Sequence, residues 1–140
     1  MDILLVEDNP GDVRLTQEAL RGVGVDHRLH VVRDGAEALS FLKAHEEDRD
    51  EAPLPDLVLL DLNLPRLGGR EVLASVKGDP VLRHIPVVIV TTSEAGRDIF
   101  DAYNGLANCY VTKPIDLDHF ILAVQGVIKF FTSVASLPRH

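Results

Sequence analysis

Short apolar runs that each end in a polar side chain constrain this chain more than any other feature. Ile3-Leu4-Leu5-Val6 ends in Glu7-Asp8, and Leu57-Val58-Leu59-Leu60 ends in Asp61. Val87-Val88-Ile89-Val90 ends in Thr91-Thr92-Ser93, and Tyr110-Val111-Thr112 leads into Lys113-Pro114. A short continuous apolar run reads as a strand buried on both faces, as in a parallel sheet covered by helices. The ends of parallel strands lie along one sheet edge. Glu7, Asp8, Asp61, the Thr91 hydroxyl and Lys113 are therefore expected to converge there.

Crowded carboxylates repel one another and raise one another's pKa values. A carboxylate at the end of a buried strand is also desolvated unless something compensates it. A bound cation removes the conflict. The strand ends offer oxygens and neither Cys nor His, so the expected ion is hard: Mg²⁺, with Mn²⁺ as the second candidate. Lys113 adds a point charge able to reach a phosphate oxygen. Metal, ammonium and hydroxyl around Asp61 would stabilise phosphoryl transfer onto that carboxylate.

Strand and helix patterns alternate five times, which reads as an open α/β sheet in one domain of 140 residues. Asn9-Pro10 pairs a cap residue with a proline at the first helical position. The helix that follows carries Val13, Thr16, Ala19, Leu20 and Val23 and stops at Gly22 and Gly24. The second strand falls near residues 28–33, and Asp34-Gly35 turns into a helix with Ala38, Leu39 and Leu42 on one face. Residues 44–55 are polar and acidic with two prolines and read as a loop, with Glu46-Glu47-Asp48-Arg49-Asp50-Glu51 as a solvated charge run. A third helix starts near Gly69 and ends near Gly78-Asp79-Pro80. The fourth follows Ser93 as its N-cap and carries Ile99, Phe100, Tyr103 and Leu106, with Gly96 weakening its first turn. The fifth begins near Asp116, with Leu117, Phe120, Ile121, Val124, Val127, Ile128 and Phe131 at helical spacing.

The net charge of −8 argues against a nucleic-acid footprint. No apolar stretch reads as a membrane span, and the N-terminus has no secretory pattern. Cys109 is the single cysteine, which excludes an intramolecular disulfide and fits a reducing, cytoplasmic compartment, with Cys109 itself read as a buried core thiol. The six histidines are scattered and read as surface or core residues, none of them a phosphodonor.

Glu7-Asp8, Asp61, Thr91 thirty residues later and Lys113-Pro114, in that order, resemble the receiver domains of bacterial two-component response regulators. Asp34-Gly35, Pro65, Gly69 and Tyr110 also match, and the resemblance spans roughly residues 1–128. The tract Gly78-Asp79-Pro80-Val81-Leu82-Arg83-His84-Ile85-Pro86-Val87-Val88 followed by Thr91-Thr92-Ser93 is similar to that of small stand-alone receivers. Those receivers partner bacterial and cyanobacterial phytochrome kinases.

The resemblance implies a flavodoxin-like, five-stranded parallel sheet in the order 2-1-3-4-5 with helices on both faces. It implies a single receiver domain over residues 1–140, with a short C-terminal extension from about residue 129 and no DNA-binding output domain. The sheet would reverse between its first and third strands, where open α/β sheets bind ligands. The implied chemistry is transfer from a sensor histidine kinase to Asp61. Asp8, Asp61 and the backbone carbonyl of Asn63 would hold Mg²⁺, and Glu7 would act mainly through water. Thr91 and Lys113 would bind phosphoryl oxygens. Such a protein catalyses only its own phosphorylation and dephosphorylation, and its output is a switched protein-interaction surface. The resemblance also implies a cis Lys113-Pro114 bond.

Plainer readings stand beside these. Glu7 and Asp8 could cap a helix, Thr91 could be an ordinary strand residue, Lys113 a surface lysine and Tyr110 core filling. A phosphatase of the haloacid-dehalogenase type would place a second aspartate two residues after the first, where this chain has Asn63. A flavin carrier would need a phosphate-binding loop after the first strand, where this chain has acids. The fifth helix is apolar on more than one side, with Leu122, Phe130 and Val134 besides its core stripe and a tail running through Ala135 to Leu137. A homodimer through the fourth and fifth helices, the fifth strand and the tail is expected, with the tail folding back on its own domain as the alternative. Tyr110, three residues before Lys113, is expected to couple Thr91 to that face as a switch.

Overall fold

Residues 1–24, 26–47, 54–113 and 116–138 are described by the computed structural model of this protein. Strands β1 (Asp2–Val6), β2 (Arg28–Val32), β3 (Leu57–Leu60), β4 (Val87–Thr91) and β5 (Cys109–Thr112) form one sheet in the order β2-β1-β3-β4-β5. All pairings are parallel; Ile3 stands between Leu29 and Leu57, and Val90 pairs with Val111. The order is the one the resemblance implies.

Alternation along each strand sends side chains to two cores. Ile3, Leu5, Leu57, Leu59, Val88 and Val90 face α1 (Pro10–Arg21) and α5 (Leu117–Lys129), which supply Val13, Ala19, Leu20, Phe120, Val124 and Ile128. Leu4, Val6, Val58, Leu60, Val87 and Ile89 face α2 (Gly35–Glu47), α3 (Gly69–Gly78) and α4 (Gly96–Asn104), which supply Ala38, Leu42, Val72, Leu73, Val76 and Ala102. Burial on both sides is why the strands read as unbroken apolar runs. Cys109, at the start of the edge strand β5, is half-buried rather than fully inside.

Helix α1 starts as its sequence predicts: the Asn9 side chain accepts from the Gly11 and Asp12 N–H groups, and Pro10 takes the first position. Four expectations need correction. Helix α2 runs on through Glu47, where a loop was expected from residue 44; Ala44, Glu46 and Glu47 are good helix formers that continue a helix already nucleated. Residues 48–53 lie outside the described residues. Helix α4 starts at Gly96 with Ala95 at the N-cap, not after Ser93, whose hydroxyl accepts from the Ala95 N–H at 3.3 Å and donates to Asp98, and so closes a turn ahead of the helix. Phe100, Tyr103 and Leu106 stand exposed, and Ala102 is the buried member of α4. Leu117 is likewise exposed, at 61%, although its spacing matches the core stripe of α5.

The segment Leu117–Val134, which joins α5 to a π-helical turn over Phe130–Val134, is long and apolar enough by length and composition to cross a membrane. The sequence hides this because Asp118, His119, Gln125 and Lys129 interrupt the run. The helix nonetheless packs on the sheet through Phe120, Val124, Ile128 and Phe131. Pro114, and with it the expected cis bond, lies outside the described residues.

Candidate active site

The sheet's hydrogen-bond ladder continues one residue past the strands and so fixes the site residues. Asp61 N–H donates to Val6 O at 3.1 Å, Glu7 N–H to Val32 O at 3.0 Å, and Lys113 N–H to Thr91 O at 2.7 Å. Glycine at position 69 lets α3 start directly against the phosphoacceptor candidate: a Cβ there would stand 2.3 Å from Asp61 O. Arg66, in the loop between them, takes φ 62° and pairs with the buried Asp34 at 3.4 Å.

Glu7, Asp61 and Lys113 meet, as the sequence predicts. Lys113 Nζ donates to Glu7 Oε2 at 2.5 Å, to Asp12 Oδ2 at 2.8 Å and to Asp61 Oδ2 at 3.1 Å. The Lys113 and Asp61 side chains are only 5% and 8% exposed, so these charges interact with little screening by water. Burial, helped by the negative charge of Asp61, pushes Glu7 up to about 7 despite its bond to Lys113. Burial opposes the charge on Lys113, but its bonds to Asp12 and Glu7 outweigh that and raise its pKa.

Asp8 is exposed at the mouth of the site. Glu7, Asp8 and Asp61 each offer a carboxylate oxygen, and these atoms lie within 4.8 Å of one another. An all-oxygen donor set of that size fits a hard divalent cation. The Asn63 N–H donates to Asp61 Oδ1 at 3.0 Å, which fixes the other end of the carboxylate. Thr91 is fully buried, and its Oγ1 has no hydrogen-bond partner among the described residues. Such an orphaned hydroxyl is costly unless another group serves it.

Tyr110 is half-buried; its hydroxyl donates to Ser93 O at 2.9 Å, and its N–H to the Tyr103 hydroxyl at 3.1 Å. Burial raises its pKa. Ser93 Oγ donates to Asp98 Oδ2 at 2.5 Å, and Asp98 also pairs with Arg70 of α3. The sequence reading missed Asp12. Asp12 is in the first turn of α1, where an acid is ordinarily explained by the helix dipole. The available signal was geometric: helix side chains lean toward the N-terminus, and α1 begins at the site's edge.

This sheet order, with carboxylates and a lysine gathered beyond the strand ends, is the architecture of a receiver. The family model for the response regulator receiver domain matches residues 3–125, and the chain belongs to that family. It is 46% identical over 136 residues to the response regulator Rcp1 of Synechocystis sp., covering 97% of this chain and 92% of that one. The Mn²⁺-bound form of Rcp1 superposes with a TM-score of 0.91 at 43% identity, over 99% of both chains. The phosphorylated cyanobacterial phytochrome response regulator RcpA superposes with a TM-score of 0.92 at 48% identity, over 99% of this chain and 98% of that one. The protein is a two-component response regulator.

Proposed function

We propose that Asp61 is the phosphoacceptor and that its donor is the phosphohistidine of a sensor kinase, specifically a phytochrome histidine kinase. The observation that carries this reading is the buried Asp61–Lys113 contact at 3.1 Å beside an orphaned Thr91 hydroxyl. An Asp61 carboxylate oxygen bonds to phosphorus as the phosphorus–nitrogen bond breaks, and the electron pair leaves with the imidazole. Lys113 and the Thr91 hydroxyl take phosphoryl oxygens, which gives Thr91 its missing partner. Asp8, Asp61 and the Asn63 carbonyl would hold Mg²⁺, with Glu7 beside them, and the ion would supply positive charge to offset the charge that grows on the phosphoryl oxygens. The reaction is the protein's own phosphorylation and dephosphorylation in the cytoplasm, and within residues 1–140 a receiver domain leads into an extension from about residue 129. It contacts neither nucleic acid nor membrane.

Output runs through the surface of α4, β5 and α5, which serves as a homodimer contact. Phe100, Leu106, Leu122, Phe130 and Val134 are 69, 64, 62, 50 and 74% exposed. Ala135 and Leu137 pack on the domain's own core, so the tail contributes through the residues before them. Leu106 has φ 71° at the end of α4, where its N–H bonds to Tyr103 O and the Ala107 N–H to Ala102 O. Glycine normally fills that position, so a leucine there is held at a local cost. Tyr110 is the switch: if Thr91 moves toward the phosphoryl group, the ring turns into the space left behind and gives up its bond to Ser93.

The decisive experiment is phosphotransfer from candidate phytochrome kinases to wild type and Asp61→Asn. Uptake should vanish in the variant; stable labelling at the wild-type rate would refute the assignment. Light scattering should show a dimer that Leu122→Glu dissociates, and a monomeric wild type would refute the contact.

A further inference from the structure

We infer that Asp12 is a positioning residue for Lys113, and through it for phosphoryl transfer to Asp61; the inference rests on the phosphoacceptor reading above. An ammonium has three N–H donors. All three are engaged, on Glu7 at 2.5 Å, Asp12 at 2.8 Å and Asp61 at 3.1 Å. The longest contact goes to the carboxylate that takes the phosphoryl group. Glu7 holds the ammonium from the end of β1, within the sheet, and Asp12 holds it from α1, which packs on the sheet. One N–H is thereby left to follow the reaction. As the bond to Asp61 forms, negative charge passes from its carboxylate to the phosphoryl oxygens. The N–H on Asp61 Oδ2 can pass to a phosphoryl oxygen while the other two stay in place. Lys113 keeps its proton throughout.

Without Asp12, a flexible four-carbon stem would hold a point charge anchored by Glu7 alone. The ammonium would settle on Asp61 and pair with the nucleophile it should assist. Asp12 is not among the acids whose oxygens gather within 4.8 Å as a metal set, so its loss should act on transfer rather than on metal binding. Its main chain is tied separately: its N–H bonds to Asn9 Oδ1 and its carbonyl accepts from Thr16 Oγ1. Asp12→Asn therefore leaves the helix cap and first turn intact.

The test uses the full chain with acetyl phosphate as donor, and Mg²⁺ titrated separately by calorimetry. In Asp12→Asn, uptake at saturating Mg²⁺ should fall by up to about a hundredfold, as misplacement of a catalytic group can cause, while Mg²⁺ affinity changes far less. The Lys113 ammonium signal in nitrogen NMR, protected in wild type, should be lost to exchange with water. Asp12→Glu should recover part of both. Unchanged uptake, an equal loss of Mg²⁺ affinity, or reduced uptake with an intact ammonium signal would each overturn the role of Asp12. Uptake that survives in Asp61→Asn would instead refute the phosphoacceptor reading itself.

Discussion

Lys113 and Lys77 sit at opposite edges of the same sheet and find three oxygen acceptors each. Lys113 meets carboxylates of Glu7, Asp12 and Asp61 beyond the strands' C-terminal ends. Lys77 Nζ, at the other edge, donates to the backbone carbonyls of Arg83 at 3.1 Å and Ile85 at 2.8 Å, and to Asn108 Oδ1 at 3.1 Å. Both ammonium groups are fully hydrogen-bonded, yet their electrostatics are opposite. Carboxylates raise the pKa of Lys113 against its burial. Neutral oxygens leave Lys77 with the cost of burial, which lowers its pKa. A lysine matched by carbonyls is a finished structural clamp, here joining the end of α3 to the segments that enter β4 and β5. A lysine outnumbered by carboxylates leaves negative charge over, and that surplus attracts a second cation.

The largest test of this contrast removes each ammonium in turn. Lys113→Met leaves three buried or half-buried carboxylates uncompensated, and should cost about 3 kcal/mol or more in metal-free urea denaturation. Millimolar Mg²⁺ should restore much of that loss, because an ion that binds only the folded state stabilises it. Restoration no greater than the wild-type Mg²⁺ effect would mean that the acids are not a cation site.

Lys77→Met should cost about 1 kcal/mol, because only the contact to the Ile85 carbonyl is part-buried and the other two acceptors can turn to water. That loss should be the same with and without Mg²⁺, and phosphoryl uptake at Asp61 should be unaffected. A Mg²⁺-dependent loss would dissolve the distinction between the two edges.

The next effect is a pH dependence. Glu7 is pushed from its ordinary 4.5 up to about 7, by burial first and by Asp61 second. Across that window the folded protein holds a proton that the unfolded chain has released, so metal-free stability should fall as pH rises through it. Mg²⁺ must displace that proton, so its affinity should climb over the same window and level off above it. Calorimetric titrations on either side of neutrality check this; an affinity independent of pH would remove Glu7 from the metal's surroundings.

The smallest effect is at alkaline pH, where the lysines carry opposite signs. The stabilising contribution of Lys113 is present below the ordinary lysine pKa and is lost as pH rises through its raised value. Lys77 holds fewer protons folded than unfolded, so stability should rise with pH through its lowered value. In Lys77→Met that gain should vanish from the alkaline limb of the stability curve, and its persistence would assign it to another group.

Much of the site was legible from local pattern. The apolar runs before Glu7, Asp61 and Thr91 dictated buried parallel strands, and parallel strands leave their ends no choice but a common edge. Asn9-Pro10 specified the start of α1 because capping is a local event. Ser93 shows where such reasoning stops. It has the chemistry of an N-cap, but its oxygen accepts from the Ala95 N–H two residues on while its hydrogen goes to Asp98, itself paired with Arg70 of α3, and α4 starts later.

The sequence by itself determined the strands, the helices and the kinds of group at the site, because periodicity and capping act over a few residues. The tertiary structure alone decided which faces remained uncovered and which distant groups met. Periodicity marks Leu117, Phe100 and Leu106 as apolar neighbours on helices, but only packing shows that no other part of the described chain covers them. Asp12 and Lys113 are 101 residues apart, and no local pattern pairs them. Their contact depends on the rotation of α1 about its own axis, which its packing on β1, β3 and α5 sets. A shift of one residue in that packing turns a helix by about 100°, and Asp12 would then face solvent.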